Sequence, residues 1–144
     1  MTKDILEFRN EHYYLSNFYN APVRYNGLTF KNNEAAFQAM KCPERASEFC
    51  DLNGADAKRL GRCVRLRSDW ATVKERIMYE ICLAKFMQND ELKRRLLATG
   101  DALLVEGNSW NDREWGVCNG VGENKLSKIL MRVRNELKGA NLYD

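Results

Sequence analysis

The sequence predicts an α+β fold, a single mostly helical domain over residues 1–144 with a small β-sheet. Short β-favouring segments cluster in the first thirty residues, whereas apolar residues at helical spacing run through most of the remaining chain. A length of 144 residues fits one compact domain that buries its own core. No internal repeat or low-complexity linker divides the chain, so we expect one domain.

The composition limits the classes of protein that need to be considered. The longest apolar runs, Ala102–Val105 and Ile129–Met131, are far shorter than the roughly 18–20 residues that span a bilayer. The start of the sequence lacks the basic and then apolar pattern of a secretory signal. Five cysteines, an odd number without a CxxC pair, indicate reduced thiols. We therefore expect a cytoplasmic protein without a membrane partner.

The charged residues and the single histidine restrict the chemistry. Lysine and arginine total 23 against 20 acidic residues, and a net charge of +3 neither demands nor excludes an anionic partner. Because His12 is the one histidine, a multi-histidine zinc site is excluded, and a Ser-His-Asp or Cys-His mechanism would have to use it. Neither GxGxxG nor GxxxxGK[ST] occurs. A Cys-only metal site would have to assemble from residues far apart in the sequence. If the protein is an enzyme, its carboxylates and lysines are expected to do the chemistry.

The first thirty residues are predicted to form short strands. The β-favouring pieces are Tyr13–Leu15, Ala21–Tyr25 and Leu28–Phe30. Asn26-Gly27 lies between the last two and is a strong signal for a hairpin turn. The expected β-sheet is therefore built around this hairpin.

A helix capped by Asn32 or Asn33 is predicted to follow, running to about Lys41 and stopped by Pro43. At 100° per residue, three polar residues share one narrow face of this helix: Glu34, Gln38 and Lys41. A solvated helix face has the same pattern as a functional one, and both interpretations stay open. Glu34 lies in the first turn, where the helix dipole favours its ionised form, as suits a nucleophile or a charge stabiliser.

The middle of the chain is predicted to be helical. Short helices are expected near Glu44–Cys50 and Ala55–Leu60, with Gly61 as the stop of the second. Val64–Arg67 is read as a short strand or an extended link. The longest helix is predicted over Trp70–Gln88, capped by Ser68 or Asp69, because its apolar residues are spaced by three and four.

The last third combines helices with a loop. A helix capped by Asp90 is predicted to end at Gly100, and Leu103–Val105 is predicted to be a buried strand. Residues 108–122 lack periodicity and are predicted to form a loop. An amphipathic helix from Leu126 is expected to stop at Gly139.

Two lysines of the long predicted helix, Lys74 and Lys85, fall inside or beside its apolar sector. Such a lysine usually buries its stem and keeps its ammonium in water. The alternative is an ammonium that faces a semi-enclosed pocket and holds a phosphate.

The segment Glu106–Gly116 places tryptophans beside carboxylates and asparagines in a predicted loop. Functional residues concentrate in loops, and this composition suits stacking on a base or sugar ring. The alternative is a long connection that is pinned because Trp110 and Trp115 are buried. Trp70, at a helix start, is predicted to belong to the core.

The same segments resemble the NADAR family of N-glycosidases, which is linked to riboflavin biosynthesis intermediates and to NAD and ADP-ribose metabolism. The resemblance extends from about Leu15 to Leu137. It rests on an ordered set of motifs, which are Leu15-Ser-Asn-Phe18 with Pro22, Gly27 and Phe30, Glu34-Ala-Ala-Phe-Gln38-Ala-Met-Lys41, Gly61-Arg62, Arg67-Ser-Asp69-Trp70 with Lys74, Met78 and Lys85-Phe86, Thr99-Gly-Asp101, Leu104-Val-Glu106, Asp112, Trp115-Gly116, Asn124-Lys-Leu126 and Leu130-Met-Arg-Val-Arg134. Ala35, Phe30 and Ser127 depart from the family's usual histidine, tryptophan and glycine, and the first two departures are expected to affect which base is accepted.

The resemblance implies hydrolysis of the N-glycosidic bond in phosphorylated ribosylamino-pyrimidine intermediates of riboflavin biosynthesis. Breaking this bond builds positive charge on the ribose, which an ionised Glu34 would stabilise or attack. Asp112 would activate water or assist the leaving nitrogen. No metal and no organic cofactor is required.

The resemblance also implies three kinds of substrate contact. Trp70 and Trp115 would stack on the base or wall the sugar. Arg62, Lys74 and Lys85 would hold a 5′-phosphate or pyrophosphate. Hydrogen bonds to ribose hydroxyls or base edges are expected from Asn17, Gln38 and Glu106.

Two other functions stay open. The first is a hydrolase of the same class that removes ADP-ribose from a modified guanine in nucleic acid. The second is a non-catalytic module that binds ADP-ribose or NAD, against which the presence of both Glu34 and Asp112 argues, since binding a dianion does not need two acids. A scaffold that grips a protein has little support in the sequence.

Overall fold

The computed structural model describes residues 3–143, with the backbone alone for residues 140–143. The chain forms two compact units. The central unit is Asn17–Asn89, and the terminal unit combines Met1–Ser16 with Asp90–Asp144. A single domain over residues 1–144 stays a prediction.

The central unit begins with the predicted hairpin. Strands β1 (Val23–Tyr25) and β2 (Leu28–Phe30) are antiparallel, with Val23 opposite Phe30 and Tyr25 opposite Leu28. Asn26 and Gly27 both have positive φ, 50° and 83°, as a two-residue type I′ turn requires. The hairpin and its turn residues are therefore confirmed.

Three helical segments follow the hairpin. Helix α1 spans Asn33–Ala39, and the side chain of Asn32 caps it by accepting a hydrogen bond from the Ala35 amide at 2.8 Å. The short helix predicted near Glu44–Cys50 is a 3₁₀ helix over Pro43–Phe49. Helix α2 spans Gly54–Gly61. Gly61 is its last helical residue and not a left-handed stop, so the sequence interpretation of this glycine was wrong.

Helix α3 spans Trp70–Gln88, as predicted. Asp69 precedes it, but its side chain caps no amide and instead binds Arg67 through two hydrogen bonds of 2.6 and 3.1 Å. The segment before it is an extended link and not a strand. At the other end, the Gln88 side chain exchanges two hydrogen bonds with the backbone of Arg24, which fixes β1 to α3.

The terminal unit begins with a 3₁₀ helix over Asn10–Leu15, so the predicted strand Tyr13–Leu15 is wrong. Local propensity is overridden here by packing, because Tyr14 and Leu15 are buried and the Tyr14 hydroxyl donates to the Arg95 carbonyl. Arg95 belongs to helix α4 (Asp90–Ala98), in which Asp90 is the first helical residue and not the cap.

The strand predicted over Leu103–Val105 is also wrong. Leu104 makes only an isolated parallel bridge with Ile5, supported by hydrogen bonds from Ile5 N to Leu103 O and from Val105 N to Ile5 O, both 2.8 Å. The predicted loop contains a parallel pair of two-residue strands, β3 (Gly107–Asn108) and β4 (Val117–Cys118).

Helix α5 spans Lys125–Tyr143 and passes through Gly139, so the predicted stop is wrong. Gly139 has space around it and keeps ordinary helical geometry. The buried guanidinium of Arg134 joins α5 to the segment that follows α4 by donating to Thr99 Oγ1 and to the Ala102 carbonyl, both at 2.9 Å. The fold is thus α+β and mostly helical, with two small sheets in the described residues. Within residues 3–143, no helix is both long enough and apolar enough to cross a membrane.

Candidate active site

Glu34 is the second residue of α1 and only 7% exposed. Its backbone amide donates to the Asn17 carbonyl at 2.9 Å, which fixes the loop before β1 to the start of α1. Its Oε2 accepts a hydrogen bond of 3.2 Å from Gln38 Nε2, one turn further on. Because Gln38 is 5% exposed and Lys41 is half-buried, the alternative of a solvated helix face is wrong.

The position of Gln38 depends on a glycine of α2. A Cβ built on Gly61 would overlap Oε1 of Gln38, so the amide lies directly against the α2 backbone. Gln38 therefore links α1 to α2 through its oxygen side and contacts Glu34 through its nitrogen. This close approach is the reason for a glycine at position 61.

Lys41, half-buried in the segment after α1, lies within electrostatic range of Glu34 and of three other cations. Burial lowers the pKa of Lys41, the Glu34 carboxylate opposes that shift, and three further cations add to it, namely Lys58, Arg62 and Lys74. Arg62 is exposed, whereas Lys58 and Lys74 are half-buried. The structure thus brings the predicted Arg62 and Lys74 into the same positively charged group as Lys41 and adds Lys58, which the sequence analysis missed. The spacing of four between Lys58 and Arg62 on one helix was the available signal.

Two asparagines adjoin Glu34, one through its backbone carbonyl and one in sequence, and both have buried side-chain oxygens. Asn17, 9% exposed, donates to Met78 Sδ at 3.5 Å, and Asn33, 1% exposed, donates to Cys82 Sγ at 3.7 Å. Within the described part of the chain, neither side-chain oxygen has a hydrogen-bond donor. A buried acceptor is stabilised by a donor, so these oxygens suit the hydroxyl or amino groups of a ligand. Asn33 was considered only as a cap in the sequence analysis.

Lys85 is buried, with 1% of its surface exposed, so the usual snorkelling arrangement is wrong. Its Nζ lies 5.6 Å from the centre of the Tyr19 ring and 5.2 Å from that of Phe86. Burial lowers the pKa of Lys85 to about 8, which the nearby Cys82 thiol partly opposes. Its role in holding a phosphate stays a prediction.

Trp70 is buried, as are the two residues that differ from the family's usual histidine and tryptophan, Ala35 and Phe30. Trp70, 9% exposed, lies against Phe37 with 4.9 Å between ring centres, as its pattern indicated, and its stacking on substrate stays a prediction. Ala35 and Phe30 are 0% and 1% exposed. Their influence on base choice also stays a prediction.

Asp112, in the terminal unit, organises its own loop. Its Oδ1 accepts hydrogen bonds from the backbone amides of Glu114 and Trp115, at 3.2 and 3.0 Å. The Asn108 side chain closes the loop by accepting from the Asp112 amide and donating to its carbonyl. These contacts give Asp112 a structural function, and its predicted catalytic function is not tested by them.

The same loop holds Glu106 and Trp115, both half-buried. A Cβ on Gly116 would lie 2.5 Å from the Glu106 carbonyl oxygen and 3.1 Å from its Oε2, so this glycine admits the Glu106 side chain. Lys125 Nζ lies 5.9 Å from the centre of the Trp115 ring. Trp110 is 56% exposed, so the alternative in which both tryptophans are buried is wrong.

The predicted site residues therefore belong to both units. The central unit holds seven of them, Asn17, Glu34, Gln38, Arg62, Trp70, Lys74 and Lys85. The terminal unit holds Glu106, Asp112 and Trp115. Among the side chains that the structure describes, no three His, Cys, Asp or Glu residues are grouped as a metal site would require.

Comparison with known proteins gives consistent matches. The model of the NADAR domain family matches residues 6–138. The chain is 40% identical over 128 residues to N-glycosidase YbiA of Shigella boydii, covering 85% of this chain and 79% of that protein. It is 36% identical over 133 residues to the riboflavin biosynthesis protein VVA0006 of Vibrio vulnificus, covering 88% of this chain and 36% of that protein. The NMR structure of Escherichia coli YbiA matches with a TM-score of 0.88 at 35% identity, covering 100% of this chain and 90% of the other.

We expect Gly61→Ala to lower the free energy of unfolding by about 1–2 kcal/mol, because the added methyl group displaces Gln38. The matched control is Gly139→Ala, which has open space in α5 and should gain up to about 1 kcal/mol from helix propensity. Denaturant unfolding measures both. In a Gln38→Ala background the penalty at position 61 should disappear, and an unchanged penalty would contradict the assigned contact.

We expect Lys85→Met to raise the free energy of unfolding at pH 7 by up to about 3 kcal/mol. Below pH 8 the amine is charged in both states, so the folded wild type carries the full cost of a buried ammonium. Between pH 8 and 10.5 the unfolded chain binds more protons than the folded one. The free energy of unfolding of wild type therefore rises with pH relative to that of Lys85→Met. Urea unfolding at pH 7 and 10 should show the difference shrinking, with exposed Lys31→Met as the control for loss of a lysine charge. A difference independent of pH would contradict the lowered pKa.

Proposed function

We propose that this chain, which belongs to the NADAR domain family, is an N-glycosidase acting on phosphorylated ribosylamino-pyrimidines. The observation that carries the proposal is a buried carboxylate, Glu34, within electrostatic range of Lys41, which three further cations also approach. The names N-glycosidase and riboflavin biosynthesis protein among its relatives support the reaction and the substrate class. In this reaction water adds to the ribose anomeric carbon, the carbon–nitrogen bond breaks, and the nitrogen gains a proton. The products are ribose 5-phosphate and an aminopyrimidine.

Glu34 stabilises the positive charge that develops on the ribose as the bond breaks, or attacks the anomeric carbon. A carboxylate that is shielded from water, and whose position is fixed before substrate binds, interacts strongly with such a charge. Gln38 and the Asn17 backbone fix Glu34 through the two hydrogen bonds described above. Their function is to position Glu34, and the Asn17 side-chain oxygen accepts from a ribose hydroxyl or a base edge.

The cations hold the phosphate. Arg62 and Lys74 were predicted for this function, and Lys58 and Lys41 lie in range to share it. A dianionic phosphate also relieves the mutual repulsion of these side chains. Binding energy from the phosphate thus serves to place the ribose at Glu34.

The terminal unit supplies the remaining proposed groups. Asp112 activates water or assists the leaving nitrogen, Trp115 contacts the base, and Glu106 hydrogen-bonds the ribose or the base. Trp70 and Lys85 complete the residues proposed to contact substrate. No metal or organic cofactor is needed for the reaction.

A second candidate is removal of ADP-ribose from a modified guanine in nucleic acid. The four cations favour it because a pyrophosphate spreads its negative charge over two phosphates and so offers contacts to more cations than one phosphate ester does. A non-catalytic module that binds ADP-ribose or NAD would use the same cations. The assay below separates these alternatives by the product released.

We expect Glu34→Gln to lower kcat by about 100-fold or more, because the neutral amide cannot balance the charge on the ribose. Release of ribose 5-phosphate from a ribosylamino-pyrimidine phosphate measures this, with an oligonucleotide carrying ADP-ribosylated guanine tested in parallel. Exposed Glu44→Gln removes the same charge elsewhere and should retain full activity. Release of ADP-ribose alone would favour the second candidate, and tight ADP-ribose binding without hydrolysis would favour the binding module.

The function of Asp112 is tested by comparing two substitutions. Asp112→Asn retains an acceptor at Oδ1 for the two loop amides but removes the charge, whereas Asp112→Ala removes both. If Asp112 acts on water or the leaving group, both variants should lose about 100-fold or more in kcat. Full activity of Asp112→Asn combined with loss in Asp112→Ala would limit Asp112 to organising its loop.

A further inference from the structure

Phe18 lies in the loop before β1, and both of its neighbours in sequence are anchored inward. Asn17 is 9% exposed and accepts the Glu34 amide, and the Tyr19 ring lies beside the buried ammonium of Lys85. Phe18 itself has 37% of its surface exposed. The loop therefore presents one aromatic ring outward from two fixed points.

The ring orientation is set by the first residue of α2. A Cβ on Gly54 would lie 2.6, 2.7 and 2.8 Å from Cγ, Cδ2 and Cδ1 of Phe18. Nearly equal distances to these three atoms place that Cβ over the ring face and not at its edge. One face of Phe18 is thus packed on the α2 backbone, in a contact that only glycine admits. A single exposed aromatic residue is ordinary, whereas one locked flat on a helix backbone, next to the residue that binds the Glu34 amide, is not.

Cations continue from this ring along α2. Lys58 Nζ lies 5.7 Å from the ring centre, one turn beyond Gly54, and Arg62 follows one turn later. At 1.5 Å per residue these positions are about 6 and 12 Å along the helix from Gly54. A planar aromatic surface and two cations therefore follow one another along α2 and its C-cap, Arg62.

We propose that Phe18 is the stacking platform for the planar base of the substrate, so that the site selects N-glycosides whose leaving group is a flat heteroaromatic amine. The inference rests on the proposed function and deepens it. An aromatic face stacks on any planar base without reading its hydrogen-bonding groups. Stacking also holds the leaving nitrogen near the anomeric carbon that Glu34 faces, which lowers KM for aromatic leaving groups.

The test compares Phe18→Leu, which removes the ring, with Phe18→Tyr, which keeps it. We expect Phe18→Leu to raise KM for the ribosylamino-pyrimidine phosphate about tenfold, equivalent to about 1.4 kcal/mol, and Phe18→Tyr to stay within about twofold of wild type. Tyr13→Leu removes another exposed aromatic ring and should change nothing. Binding of the free aminopyrimidine, followed by NMR titration, should weaken by the same factor, whereas binding of ribose 5-phosphate should persist in Phe18→Leu and show that the site is folded.

The outcomes separate this inference from the proposed function. If wild type hydrolyses no N-glycoside but loses aminopyrimidine binding on Phe18→Leu, the proposed function is wrong and the platform is supported. If wild type turns over the substrate while Phe18→Leu retains its KM and its aminopyrimidine affinity, the platform is wrong and the reaction stands. Failure of wild type to bind the aminopyrimidine would also overturn the platform.

Discussion

Burial of a carboxylate is the constraint on which the arrangement of the central unit depends. Removing Glu34 from water is unfavourable unless nearby groups balance its charge. The start of α1, the amide of Gln38 and the charge of Lys41 provide that balance. Gln38 in turn requires a residue without a Cβ at position 61, because its side-chain amide lies against the α2 backbone there. The packing of α1 on α2 and the electrostatics of the site are therefore one arrangement, and a change in either alters both.

Elements defined by local chemistry were predictable from the sequence, whereas those defined by distant packing were not. Asn26 and Gly27 determine their hairpin because few other residues adopt positive φ at both positions. The period of α3 likewise determined its limits. Tyr13–Leu15 has β-favouring side chains, yet its backbone follows the burial of Tyr14 in the terminal unit. Gly139 is compatible with a helix end but does not require one.

The candidate site was predictable in its residue types but not in its burial. Helical spacing placed Glu34 beside Gln38, and a solvated face and a buried one share that spacing. Lys85 had the pattern of a snorkelling residue, and only the rings of Tyr19 and Phe86 reveal that its amine is enclosed. Because glycine has no side chain, the periodicity of apolar residues does not indicate which side chain packs against it. For this reason the contact partners of α2 emerged only from the structure.

Helix α2 has a glycine at each end, and each glycine receives a side chain from elsewhere in the central unit. Phe18 covers Gly54 at the first residue, and Gln38 covers Gly61 at the last. Since one inserted or deleted residue rotates a helix by about 100°, no shift in register keeps both glycines in place. Substitutions on the outward face, at Asp56 or Arg59, leave these two contacts intact. Helix α2 should therefore tolerate substitutions on its outward face, whereas an insertion or a deletion within it should disrupt at least one of the two glycine contacts.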